Sequence, residues 1–234
     1  VTPTMECVVV SGQLAPECNG GNDRAACPEG SACENGACVR AAVAGEIVIS
    51  EIMYRTPGLD EAGAEWIEIH NRTDSPLRLS GCTISDERFS SAISPTTLPG
   101  GGQLLLARSL DPQLNGGLDA QVRFDFALNN GGDTIYLRCG GAIFDQVTYG
   151  GQTGFPAAEG SALSLSGDRF DADLNDGSDS WCLAANVYTE EHGLRGTPGA
   201  PNPICDRCLP NPCVNPPADR CEGNEVVTSI GPGV

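Results

Sequence analysis

The chain has no lysine. All thirteen basic residues among its 234 are arginine, against 31 Asp and Glu, for a formal net charge of −18. So negative a chain repels phosphate backbones and gains nothing electrostatically on an anionic lipid surface, which argues against a nucleic-acid partner and a membrane-surface role. Long apolar runs are also missing. The longest candidate, 41–53, is interrupted by Gly45, Glu46 and Glu51 and falls short of the roughly 20 residues a membrane span needs. Aromatics make up only 5 % of the chain. No nucleophile elbow, zincin motif or phosphate-binding loop is present. The only two histidines, His70 and His192, have no Ser or Cys partner in a local context that suggests nucleophilic catalysis. Neither an initiator Met nor a signal peptide precedes Val1. For a secreted chain this reads as a processed start, and the last residues, 226–234, read as an interior point of something longer.

Thirty Gly and seventeen Pro suit a turn-rich β protein better than a helical one. Twelve Cys would be costly free thiols in a reducing cytosol and read as disulfides formed in an oxidising space. Zinc is the competing reading, but the one CxxC pair, Cys205 and Cys208, has no second pair at ribbon spacing. The cysteines fall into three groups: Cys7, Cys18, Cys27, Cys33 and Cys38; Cys82, Cys139 and Cys182; Cys205, Cys208, Cys213 and Cys221. Two groups are odd, so at least one bond must join segments.

This grouping divides the chain into a cysteine-rich N-terminal segment, 1–44, a middle domain, 45–202, and a Cys/Pro-rich C-terminal segment, 203–234. The middle carries 22 acids and 9 Arg, a net of −13, and the flanks carry −3 and −2. The run 18–38 has short gaps rich in Gly, Asn and Pro with no room for a core, so disulfides must hold it. It resembles the small four-cysteine knots of bacterial secreted proteins. Pro210, Pro212, Pro216 and Pro217 forbid regular helix or central strand in the last segment.

The middle domain alternates with period two. Val122, Phe124, Phe126 and Leu128 share one face and Gln121, Arg123 and Asp125 the other, the pattern of a strand with one wet side. Asn129 to Gly132 reads as a hairpin turn. It is followed by a strand over 134–139, a Gly140–Gly141 turn and a strand over 142–149, together a meander. Residues 46–54 are apolar on both parities and read as a central strand. Residues 65–71 alternate with Ile67 and Ile69 inward. The parity shift at Gly81 within 77–85 predicts a bulge or bend. Strands over 103–107 and 162–166 bring the number to about eight. Residues 150–160 and 168–179 read as loops.

Five pieces occur in order: IVISEIMY at 47–54, EWIEIHN at 65–71, SPLRLSGCTISD at 75–86, GGDTIYLRCGGAIFDQVTYG at 131–150 and RGTPGAPN at 195–202. Together they resemble the lamin-tail domain family, including its bacterial secreted members. The resemblance implies an immunoglobulin-like antiparallel β-sandwich. The chain departs from the family at Cys82, where an aromatic is usual, and a cysteine there can serve as a disulfide partner instead of a packed ring. Cys139 points inward by parity and Cys82 shares parity with Ile84, so a Cys82–Cys139 bond is expected inside the sandwich. Cys182 is then expected to bond Cys7.

The Asp-rich run offers Asp171, Asp173, Asn175, Asp176 and Asp179 as oxygen ligands for Ca2+. Its spacing departs from an EF-hand loop, and solvated Asx turns are the plainer reading. Glu51, Glu65 and Glu68 lie near Trp66 and His70 and raise the thought of paired-carboxylate glycosidase chemistry. The chain lacks the catalytic loops and aromatic platforms that go with it, so these glutamates read as inter-strand polar residues. Asn71-Arg-Thr73 matches a glycosylation acceptor but sits where a turn is expected. Trp66 and Trp181 read as packing residues.

No catalytic site or certain cofactor follows. The sequence describes a non-catalytic, disulfide-stapled module outside the cell or on its surface, acting in adhesion or structural assembly. It is expected to meet a protein or glycan partner, or to associate with itself through the terminal strands Val8–Val10 and Val226–Ile230. The alternative is a calcium- or carbohydrate-binding accessory domain of a larger secreted protein or enzyme.

Overall fold

The computed structural model describes residues 27–205 in full and four outlying strands by their backbone alone, at 7–10, 13–16, 219–222 and 225–228. The N-terminal strands are β1 (Cys7–Val10), β2 (Gln13–Pro16), β3 (Ser31–Glu34) and β4 (Ala37–Ala41). Then come β5 (Ile47–Met53), helix α1 (Glu61–Ala64), β6 (Trp66–Asn71), β7 (Leu77–Leu79), β8 (Cys82–Ser85), β9 (Ser90–Ile93) and β10 (Thr96–Leu98). After β11 (Gln103–Ala107) and helix α2 (Pro112–Asn115) follow β12 (Val122–Arg123), β13 (Gly132–Cys139), β14 (Ala142–Gly150) and β15 (Leu163–Leu165). The chain continues through β16 (Trp181–Leu183), β17 (Val187–Thr189), β18 (Leu194–Arg195), β19 (Asp219–Glu222) and β20 (Glu225–Thr228).

Two layers of sheet enclose one main core. The first layer is six-stranded, in the order β12-β11-β6-β5-β15-β16. The second consists of two four-stranded sheets, β14-β13-β8-β9 and β10-β7-β4-β3. Ile52, Ile67, Ile69 and Leu104 from the first layer meet Ile84, Ile135, Leu137, Leu77 and Leu79 from the second. The chain is thus an all-β sandwich, and β5 is central and wholly buried, as its two apolar parities predict.

A bulge explains how β5 can be apolar on both parities. Ile49 pairs with Ile69, but the next pair is Glu51 with Glu68, so Ser50 is the extra residue. One added residue flips all later side chains to the other face. Ile49 and Ile52 therefore both enter the core, while Glu51 and Met53 point to the opposite face of the sheet. A second, smaller cluster forms there, where Met53, Trp66, Leu105 and Ala107 are covered by Ala184, Leu194 and Tyr188.

The bend at Gly81 is sharper than a bulge. With φ at +63°, Gly81 passes the chain from β7 in one sheet to β8 in another. The predicted meander is only partly present. β13 and β14 form the expected hairpin, but the other neighbour of β13 is β8. The run 121–128 keeps its alternation, with Val122, Phe124, Phe126 and Leu128 buried. Its ladder is nevertheless limited to β12, which lies parallel to β11. Beyond it, side chains satisfy the backbone: Asp125 N–H donates to Ser91 Oγ and Leu128 N–H to Glu65 Oε2. Alternation reports which face is dry and leaves open what pairs with the backbone.

The cysteine-rich segment is continuous with the sandwich through β4, which runs parallel to β7 and is fastened by paired Arg40–Glu46 and Arg78–Glu34 contacts. β1 pairs with β2 and β19 with β20, so Val8–Val10 and the strand from Glu225 to Thr228 each have one edge occupied by their own chain.

Candidate functional site

Of the three glutamates singled out for paired-carboxylate chemistry, Glu51 and Glu68 lie on the outer face of the six-stranded sheet, buried under the segment that contains RGTPGAPN, whereas Glu65, just before β6, is buried against Leu128 and Arg108. Glu51 accepts the Thr197 N–H with both carboxylate oxygens, at 3.1 and 3.0 Å, and the Thr197 hydroxyl at 3.3 Å. Glu68 accepts the Gly199 N–H at 2.6 Å and the Ser50 hydroxyl at 3.0 Å. Asn202 donates its amide to the carbonyls of Ser50 and Leu165 and accepts from Thr197 Oγ1. The motif is therefore a strap held to the bulge of β5 by buried polar groups, each satisfying backbone that would otherwise be stranded away from water.

Burial dominates the electrostatics of these groups. It pushes the Glu51 carboxyl well up, and repulsion from Glu68 adds to the effect. Glu68 is raised to about 7 by burial, against the bonds it accepts. Glu65 is likewise raised to about 7 by burial although it accepts from Leu128 N–H and faces Arg108 at 3.2 Å. Asp145, which the sequence did not flag, is raised to about 7 by burial while accepting from Ile49 N–H and Asn175 Nδ2. All four carboxylates accept backbone N–H groups. That arrangement fixes loops to sheet.

His70 is buried, stacks on Phe170 at 4.1 Å between ring centroids and is pushed down to about 4 by that burial. Trp66 and Trp181 are packed in, as expected, and donate to Tyr188 Oη and the Asn175 carbonyl. Asn71 of the glycosylation match is fully buried. Its amide donates to the carbonyls of Ser75, Leu98 and Pro99, and its oxygen accepts from Thr73. It serves as an internal turn clamp.

The Asp-rich run offered for Ca2+ is organised by an Asx turn and an ion pair. Asp171 Oδ1 accepts the N–H groups of Asp173 and Leu174, and its other oxygen faces Arg72 at 3.0 Å. Asn175 turns inward, donating to the Ile49 carbonyl and to Asp145. Asp171, Asp173 and Asp176 line one cleft together with Asp145, and Asp179 is not among its lining residues. Among the described residues no group of three or more His, Cys, Asp or Glu side chains converges as a metal site would. The physical reason is that the Asx turn and the Arg72 pair already use the oxygens of Asp171, and β5 claims Asn175.

Cys82 and Cys139 are bonded, directly opposite each other on β8 and β13. Cys182 bonds Cys205, not Cys7, which corrects the pairing expected from the odd groups. Ser166 Oγ accepts the Cys205 N–H and seats that residue beside β15, the strand paired with β16, where Cys182 lies. Cys27 bonds Cys38, and Cys33 is also disulfide-bonded. Cys7, Cys18, Cys208, Cys213 and Cys221 lie outside the residues whose side chains are described.

One surface feature escaped the sequence reading. The loop Asp86–Phe89 between β8 and β9 projects Phe89, which is 62 % exposed. Asp86 Oδ1 accepts the N–H groups of Arg88 and Phe89, and Asp86 N–H donates to the Phe89 carbonyl. On one side of the loop lies a cleft of about 630 Å3 reaching Asp133, Thr134 and Thr148. On the other lies a cleft of about 420 Å3 reaching Ser85, Tyr136 and Arg138. The only sequence signal was an apolar residue in an otherwise charged turn.

The fold is thus a disulfide-bonded β-sandwich in which the buried carboxylates Glu51, Glu65, Glu68 and Asp145 bond its own backbone. Residues 40–151 match the Lamin Tail Domain family, which supports that family, of immunoglobulin-like and generally non-catalytic domains, for this part of the chain. No curated protein matches the chain.

Proposed function

We propose that this chain is a secreted or cell-surface member of the lamin-tail family, of bacterial type, in which the sandwich at 45–202 is flanked by cysteine-rich segments and acts by adhesion or assembly without catalysis. The observation that carries this reading is the engagement of the four buried carboxylates Glu51, Glu65, Glu68 and Asp145 with backbone N–H groups. These carboxylates hold the fold's own backbone donors, which supports a structural role for them. The disulfides at Cys27–Cys38, Cys82–Cys139 and Cys182–Cys205 favour an oxidising compartment.

The test is fractionation of the source cells with thiols alkylated before any reduction, followed by peptide mapping. The expected result is recovery from the secreted or surface fraction with Cys82, Cys139, Cys182 and Cys205 unalkylated. Recovery from the cytosol with these cysteines alkylated would overturn the reading.

A further inference from the structure

We propose that the two clefts flanking the Phe89 loop form one strip that binds a neutral polysaccharide chain. This rests on the extracellular reading above and gives that module a ligand class.

Phe89 is the starting point. Of the six Phe, Phe124, Phe126 and Phe144 are buried, Phe155 and Phe170 pack against the core, and Phe89 alone is displayed. The three hydrogen bonds around Asp86 hold the loop in one shape, so an aromatic face is presented without further ordering on binding. A sugar ring has an apolar C–H face that stacks on such a surface and a rim of hydroxyls that need donors and acceptors.

The surroundings supply both. Asp133, Thr134 and Thr148 line one cleft, and Ser85, Tyr136 and Arg138 line the other. Arg138 lies over the Tyr136 ring at 4.0 Å and donates to Ser85 Oγ. Asp133 is fixed by the N–H groups of Asn129 and Thr134. The larger cleft falls in the volume range of small-ligand sites, and because both clefts share residues 86–89 they can accommodate consecutive rings of one chain.

Charge and polarity select among ligands. Asp86, Glu87 and Asp133 outnumber Arg88 and Arg138 at the strip, and on a chain of net −18 this disfavours sulfated or uronate polymers and nucleic acids. A protein partner would find one exposed Phe among polar groups, with Tyr136 covered by Arg138, and no apolar centre of the kind that anchors interfaces. The six-stranded sheet has its outer face covered by 184–199, whereas the outer side of β8 and β13 carries Ser85, Tyr136 and Arg138 in an open cleft.

The experiment probes the full chain against immobilised neutral polysaccharides (glucans, mannans, xylans and chitin) and against sulfated and uronate polymers, with Phe89→Ala, Phe89→Trp and Leu114→Ala as variants. At least one neutral polymer is expected to bind. Phe89→Ala should weaken it about tenfold at an unchanged melting temperature, Phe89→Trp should retain it, and Leu114→Ala, at an exposed position on α2, should leave it intact. No binding to any neutral polymer, preference for the charged polymers, or undiminished binding by Phe89→Ala would each overturn the proposal. A chain that binds no glycan yet is recovered outside the cell with its disulfides intact sinks only this proposal; recovery from the cytosol sinks the reading beneath it.

Discussion

Glu51 and Glu68 sit side by side across β5 and β6, both fully buried, and each accepts the N–H of a residue in the same turn, Thr197 and Gly199 respectively. Two carboxyl groups are placed together here, where the strap above them brings two backbone donors. The strap and the sheet are therefore one cooperative unit, although the family match ends at residue 151.

Replacing Asn202 by Ala tests that unit. The substitution strands the carbonyls of Ser50 and Leu165, which its amide serves away from solvent. Unsatisfied buried groups cost about 1–3 kcal/mol each, so urea unfolding should show a loss of about 2–6 kcal/mol. A loss under about 0.5 kcal/mol, the scale of an ordinary surface change, would mean that the strap is not held as described.

Acidification should stabilise the protein. Glu65, Glu68 and Asp145 titrate at about 7 in the folded chain, above their ordinary values of about 4. The folded state thus binds protons more readily than the unfolded state. Their contribution is full below the ordinary carboxylate range and is lost as pH rises through about 7. His70 works oppositely: lowered to about 4, its contribution is full above its ordinary value and falls away as pH drops toward 4. Three groups outweigh one, so the melting temperature should rise by several degrees from pH 8 to pH 5. In Glu68→Gln the slope should be shallower, and a flat or inverted profile in the parent chain would contradict the assignment.

The two cross-links within 82–205 should differ in their contribution to stability. Cys82–Cys139 closes a separation of 57 residues and Cys182–Cys205 one of 23. Constraint of the unfolded chain predicts about 4 kcal/mol for the first and about 3 kcal/mol for the second. Paired Cys→Ala variants measured by chemical unfolding should rank in that order. The first pair is also buried between sheets, which adds a packing loss on its removal.

Gly196 is tightly enclosed although its backbone is ordinary. A Cβ there would lie 2.8 Å from Trp66 Cζ2 and 3.3 Å from Tyr188 Cδ1. Gly196→Ala must push the indole aside, at about 1–3 kcal/mol, and disturb its bond to Tyr188 Oη. Trp fluorescence should shift in the folded variant. An unshifted spectrum with unchanged stability would show that the strap has slack.

The sequence alone was sufficient for the fold class and for the Cys82–Cys139 bond. Period-two patterning reports burial face, Gly81 marks a chain reversal, and Cys82 and Cys139 could be matched by parity because opposed inward positions in neighbouring strands are close by construction. Parity also exposed the oddity of β5 without resolving it, since a bulge is decided by what the neighbouring strand offers, here Glu68 and Ile69. Contacts between residues far apart in sequence were not legible. The Cys182–Cys205 bond, the strap on Glu51 and Glu68, the diversion of Asn175 to Asp145 and the isolation of Phe89 all depend on which buried backbone groups need a partner, and only the assembled sandwich determines that.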